Sequence, residues 1–185
     1  LSKGAEIICN DIDESHLAIL EEEAVRQKLN LSKLRTVCAD FSYELDLPKA
    51  SLDGILIARV LHLFNGPRIE HSLKKAYQWL KPGGKIFIVA ETPYLKIFSD
   101  FIPEYEARVK RDEEWPGLIT DIHKYFNDDN FPELVHCMDP VILKRVLKNQ
   151  GFLVEEISFI SRSDFPPNRR LDGRESIGVI ACKPK

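Results

Sequence analysis

Three carboxylates in this chain stand just beyond apolar runs. Asp11 follows Ala5 to Cys9 (AEIIC) through Asn10, Asp40 follows Leu34 to Ala39 (LRTVCA), and Glu91 follows Ile86 to Ala90. An ionised carboxylate accepts hydrogen bonds at both oxygens, so each of the three can hold a ligand's hydroxyl or amine. A fourth run, Ile55-Leu56-Ile57-Ala58, leaves through Arg59 toward His62. Ala58 leaves room at such an exit, and Arg59 reads as a backbone contact or a surface residue. An imidazole titrates near neutrality, so His62 suits a general base; set between Leu61 and Leu63, it reads first as a packing residue.

The apolar runs read as strands, and in open α/β sheets ligands bind beyond the strands' carboxyl ends. Ile86 to Ala90 has no polar alternation, as expected of a strand covered on both faces. Leu80-Lys81-Pro82-Gly83-Gly84 before it reads as a helix end and a tight turn, because Pro82 cannot continue a helix and the glycines can take positive φ. Asp13 is a good N-cap for a helix reaching about Leu29, with Leu17, Leu20, Ala24 and Val25 on its apolar face. Asn65-Gly66-Pro67 opens a second helix with Ile69, Leu73, Ala76, Tyr77 and Leu80 as its stripe. Strands alternating with helices at this spacing predict parallel βαβ units.

The rhythm breaks after Pro93. Residues 94–135 mix aromatics (Tyr94, Phe98, Phe101, Tyr105, Trp115, Tyr125, Phe126 and Phe131) with charge, too long a stretch for a plain connection. It reads as a helical cap or insertion. Asp139-Pro140 starts an amphipathic helix through Val141, Leu143, Val146 and Leu147. Two runs, Phe152 to Ile160 and Glu175 to Cys182, then suggest an antiparallel pair at a sheet edge, joined by a loop carrying Arg162, Arg169, Arg170 and Arg174.

The 185 residues read as one domain; 44% are apolar, enough for a real core, and the net charge is −3. That balance gives no reason to expect nucleic acid or an anionic membrane as partner. No apolar run approaches a membrane span. Cys9, Cys38, Cys137 and Cys182 are far apart without a C-x-x-C, so no metal site or disulfide is expected. Reduced cysteines in a cytoplasmic protein is the reading they support, with Cys9, Cys38 and Cys182 in buried strands.

Taken together, Asp11 and Asp40-Phe41 at strand ends, SLDGILIARVLHLF (Ser51 to Phe64), LKPGGKIFIVAETP (Leu80 to Pro93) and the terminal NQGFLVEEISFI…ESIGVIACKPK pattern resemble the class I S-adenosylmethionine-dependent methyltransferases. The resemblance covers nearly the whole chain. It implies a Rossmann-like, doubly wound, mostly parallel sheet with helices on both faces and an antiparallel C-terminal strand pair. It implies S-adenosylmethionine as cofactor, with Asp11 and Ile12 at the ribose, Asp40 and Phe41 at the adenine, and Ala58 and Arg59 at the pocket mouth. Glu91 and His62 then face a small-molecule acceptor, and no catalytic residue is assigned. Residues 57–60 lack the Asn/Asp-Pro-Pro-Tyr/Phe of relatives that methylate nucleic-acid bases. The family's first strand and glycine-rich turn have no counterpart in the sequence. They are expected upstream of Leu1, that strand lying between the ones at 5–9 and 54–58. A methyltransferase-like protein that only binds, or an NAD-dependent oxidoreductase, are the rival readings.

Overall fold

A computed structural model of the chain describes residues 1–125 and 132–185; Phe126 and Phe131 of the aromatic stretch lie outside them. The described chain divides into two compact units, Leu1–Leu47 and Pro48–Lys185.

In the first unit β1 (Ile7–Asp11) leads into helix α1 (Glu14–Arg26) and then β2 (Leu34–Cys38), which pairs with β1 in parallel, Asp11 opposite Cys38. The cap is the expected one: the Asp13 carboxylate accepts from the Ser15 N–H at 2.8 Å and from its hydroxyl at 2.6 Å. The helix stops three residues earlier than Leu29. Leu17 and Ala24 are buried, whereas Leu20 and Val25 are exposed.

The second unit holds a four-stranded sheet in the order β3 (Leu52–Ala58), β4 (Leu80–Glu91), β8 (Ser176–Cys182), β7 (Leu153–Ile160). Helix α2 (Gly66–Trp79) connects β3 to β4, which run parallel. α3 (Ile102–Lys110) and the short strands β5 (Leu118–Ile119) and β6 (Val135–His136) follow, then α4 (Pro140–Asn149). β8 is antiparallel to both β4 and β7, the terminal pair expected from sequence. Helices α2 and α4 pack on the sheet and on each other. Ile69, Leu73, Ala76, Leu80, Ile86, Ile88, Leu143, Val146, Leu147, Ile177 and Ala181 are essentially inaccessible, so this is the core.

The Lys81–Gly84 stretch is not a helix C-cap turn. α2 ends at Trp79, and β4 is already extended at Leu80, which pairs with Leu52; the next pair is Gly54 with Lys85. Lys81 to Gly84 therefore bulge out opposite Asp53. Gly83 takes φ +81° and hydrogen-bonds the Lys183 carbonyl at 2.8 Å. β4 is also not covered on both faces. Ile86, Ile88 and Ala90 are sealed while Phe87 is 38% exposed, and Leu56 of β3 is 67% exposed. All these positions are apolar, so burial had to be decided by what packs on each face. Val141 of α4 is likewise exposed, with Ile142 taking its place in the core.

Residues 94–125 build a second core. A 3₁₀ turn (Lys96–Phe101), α3 and a second 3₁₀ turn (Ile122–Lys124) bury Leu95, Phe98, Phe101, Tyr105 and Ile122 with Ile119, Val135 and Cys137. Phe165 from the Arg-rich loop completes this cluster. All four cysteines are free thiols; the buried one is Cys137, Cys9 and Cys182 are half-buried, and Cys38 is exposed, so the strands expected to bury Cys9, Cys38 and Cys182 leave all three at least partly accessible. No helix among the described residues is long and apolar enough to cross a membrane.

Candidate functional site

In the first unit the strand tips are tied together by main chain and by Asn10. The Asn10 amide donates to Val37 and Ala39 carbonyls at 2.9 and 2.8 Å, and the Ala39 N–H donates to the Asp11 carbonyl at 3.0 Å. This places Asp11 and Asp40 at one end of the β1–β2 pair. The Asp11 carboxylate is 39% exposed. Its Oδ1 accepts from the Asp13 N–H at 2.9 Å, and its Oδ2 lies 3.3 Å from His16 Nδ1. Since a carboxylate has about four acceptor positions, lone pairs remain on both oxygens. Ile12 beside it is 71% exposed. Asp40 organises its own turn: Oδ1 accepts from Ser42 and Tyr43 N–H groups at 2.7 and 3.1 Å. That is a local backbone role of the kind Asp side chains take in turns. Phe41 is half-buried.

In the second unit Ala58 and Arg59 end β3 beside Val89 and Glu91 of β4. Arg59 takes φ +59°, an unusual conformation for a side-chain-bearing residue, and its N–H donates to the Val89 carbonyl at 2.7 Å. The turn aims the guanidinium at Glu91, with Nη2 donating to Oε1 at 2.7 Å. The Glu91 side chain is only 10% exposed, whereas the Arg59 side chain is 43% exposed, so only the carboxylate end of the pair is withdrawn from water. The guanidinium also lies 5.4 Å from the centre of the Phe165 ring. His62 follows in a 3₁₀ turn (Leu61–Leu63) with a buried Nδ1 that meets no hydrogen-bond partner among the described residues. Burial lowers its pKa, Glu91 opposes that shift and Arg59 adds to it. The imidazole is neutral at pH 7, beside an ion pair of zero net charge.

Residues 1–88 match the family described as "Methyltransferase domain". A ubiquinone/menaquinone biosynthesis C-methyltransferase of Rhizobium etli is 32% identical over 135 residues, covering 68% of this chain and 51% of that protein. Its counterpart in Sinorhizobium fredii is 35% identical over 137 residues with the same coverage. The chain belongs to the class I S-adenosylmethionine-dependent methyltransferase family. It spans about half the length of the curated relatives it matches. Its fold is that of a Methanosarcina mazei protein described as a SAM-dependent methyltransferase (TM-score 0.71, 18% identity, 99% of this chain and 84% of that one). A Burkholderia thailandensis 1,6-didemethyltoxoflavin-N1-methyltransferase, solved with 1,6-didemethyltoxoflavin and S-adenosylhomocysteine, matches at TM-score 0.63 with 17% identity (100% and 64%).

Within this methyltransferase-family chain, the expected residues fall into two constellations: Asp11, Ile12, Asp40 and Phe41 in the first unit, Ala58, Arg59, His62 and Glu91 in the second. Two neighbours were missed by sequence reasoning. His16 touches Asp11 because position 16 lies in the first turn of α1, a placement that follows once Asp13 is the cap. Glu175 is the other. Its carboxylate is buried and accepts from the N–H groups of Leu171 and Gly173 at 2.9 Å and of Arg162 at 3.2 Å. Burial alone would raise its pKa, but these bonds hold it down at about 2. Nothing local in the sequence distinguishes Glu175 from Glu155 or Glu156, which are exposed. It fixes the 161–174 loop, as does Thr92, whose hydroxyl donates to the Arg174 carbonyl. Two of that loop's arginines pair with its own aspartates, Arg162 with Asp164 and Arg174 with Asp172. His136 of β6 is fully buried, with Nδ1 3.0 Å from the Phe64 carbonyl. Among the described residues no group of three or more His, Cys, Asp or Glu side chains is placed to hold a metal.

Proposed function

We propose that this protein binds S-adenosylmethionine and transfers its methyl group to a small-molecule acceptor. The observation that carries the reading is Asp11, a partly exposed carboxylate at the C-terminal tip of a parallel strand, held in place yet with lone pairs to spare. That chemistry fits two vicinal ribose hydroxyls, which need acceptors on a fixed carboxylate. Asp40 and Phe41, two and three residues beyond β2, take the adenine. When bound, the cofactor supplies an electrophilic methyl on a sulfonium, so alignment of the nucleophile can provide much of the rate.

On the acceptor side, Glu91 is oriented by Arg59 and is offered to a hydroxyl or amine. His62, neutral and with an unpartnered buried nitrogen, receives a hydrogen bond or a proton from the acceptor. The 94–135 insertion, whose described part has its own aromatic core, closes over the acceptor. Among the described residues β1 pairs with β2 and β3 with β4, each leaving its other edge open.

Calorimetric titration of the full-length protein with S-adenosylmethionine tests the reading. Saturable binding supports it, and no heat at millimolar cofactor sinks it. Binding of NAD instead would reassign the Asp11 end to a dinucleotide.

A further inference from the structure

We infer that Phe165 is a positioning residue for the acceptor half of the site, its ring keeping the Arg59 guanidinium on the Glu91 carboxylate. That role rests on the proposed placement of Glu91 and His62 against the acceptor. Phe165 belongs to the loop between β7 and β8, yet it is only 7% exposed and is part of the insertion's core. Its N–H donates to the Arg162 carbonyl at 3.0 Å, and the Arg162 N–H donates to the buried Glu175 carboxylate at 3.2 Å. The ring is therefore fixed both by its main chain and by packing. Two guanidinium groups lie against it, Arg162 at 4.0 Å from the ring centre and Arg59 at 5.4 Å. They are not equivalent. Arg162 is already taken by Asp164, to which its Nε and Nη2 donate at 2.9 and 2.7 Å. Among the described residues the Arg59 side chain has one hydrogen bond, to Glu91 Oε1 at 2.7 Å.

One such bond does not hold a long side chain. The Arg59 side chain is 43% exposed, and an ion pair open to water gains little once the freedom of a flexible stem is lost. A guanidinium within about 6 Å of an aromatic face gains a comparable amount from the ring. Phe165 thus supplies a second point of attachment, and two points fix an orientation that one leaves loose. Glu91 is the group that benefits. Its side chain is 10% exposed, and among the described residues Arg59 is the one cation within ion-pair distance of it. His62 senses the pair: burial lowers its pKa, Glu91 opposes that shift and Arg59 adds to it. Release of Arg59 removes one of the two lowering influences, so His62 takes up its proton at higher pH.

The test follows the His62 imidazole by NMR while the full-length protein is titrated with acid, its signal assigned by its loss in His62→Gln. Phe165→Leu keeps an apolar side chain in the core and removes the ring face. Without the ring, Arg59 is expected to spend about two- to fivefold less time on Glu91 relative to its released form. His62 should then titrate at higher pH than in the wild type, part of the way toward its midpoint in Arg59→Gln. With Arg59→Gln already in place, Phe165→Leu should move the midpoint no further, because the contact it removes is already gone. Phe165→Tyr keeps the ring and should titrate as the wild type does. If Phe165→Leu fails to fold, Phe165→Met takes its place in the same comparison. An unmoved His62 would overturn the role of Phe165. So would an equal move with and without Arg59, since Phe165 would then act by packing alone. No cofactor enters this titration, so the two failures are distinct. Absence of S-adenosylmethionine binding overturns the placement at an acceptor, whereas an unmoved His62 overturns Phe165 alone.

Discussion

Asp11 and Glu175 are both carboxylates that accept backbone N–H groups, yet they do different work. Asp11 keeps spare lone pairs at a partly exposed tip; Glu175 spends its own on three N–H groups of a loop. Asp11→Ala should therefore weaken S-adenosylhomocysteine binding by roughly 10- to 100-fold, the worth of hydrogen bonds to a charged group, with little change in Tm. Unchanged affinity in calorimetry would refute its assignment. Glu175→Ala should instead cost stability, about 2 kcal/mol or more, because buried N–H groups lose their acceptor. Chemical denaturation measures this, and tryptic cleavage at Arg169 and Arg170 should accelerate. The pH dependence follows from the same bonds. Glu175 has a folded pKa of about 2, below its ordinary 4.5, so its contribution is complete above pH 4.5 and is lost as pH falls toward 2.

At the scale of elements, two junctions hold α2 in place, and neither shows in its apolar stripe. At its start, Gly66 lies so close to the Trp115 indole that a Cβ would stand 2.1 Å from a ring carbon. Gly66→Ala must push the indole off the helix N-terminus and off the edge of His136, 5.1 Å away between ring centres. A loss of at least about 2 kcal/mol is expected, with a changed tryptophan emission spectrum; an unchanged Tm would show that the indole does not pack there. At the other end, Lys183 donates to the Tyr77 and Leu80 carbonyls, both at 2.9 Å, and so caps the last turn from another strand's exit. Lys183→Met keeps the stem and removes the donor, and should cost about 1–2 kcal/mol by denaturant melts.

For the molecule as a whole, acid is the expected weakness. His136 is buried and neutral, its pKa lowered from 6.5 to about 4, chiefly by burial. The unfolded chain binds this proton between pH 6.5 and 4 while the folded one does not, so stability falls with pH across that window, by up to about 3 kcal/mol. Below pH 4 the Glu175 term takes over. His136→Gln should flatten the upper part of the stability–pH curve; an unaltered slope would mean that the ring is protonated as easily folded as unfolded.

The sequence by itself determined the alternation of strands and helices, the caps at Asp13, Asn65 and Asp139, the antiparallel end and the acidic strand tips. All of these are short-range: apolar periodicity, capping oxygens and breakers act within a few residues. It also made Asp11 a ligand candidate, since it stands just beyond an apolar run while Asp13 serves as the cap. Only the tertiary structure decided which apolar residues are covered, because Leu56, Phe87 and Val141 are as apolar as their buried neighbours. Only it placed Arg59 on Glu91, Phe165 in the core of the insertion, Lys183 at the end of α2 and Glu175 under its loop. Those partners are 13 to more than 100 residues apart in some cases, and the chain's path through space, not local propensity, selects them.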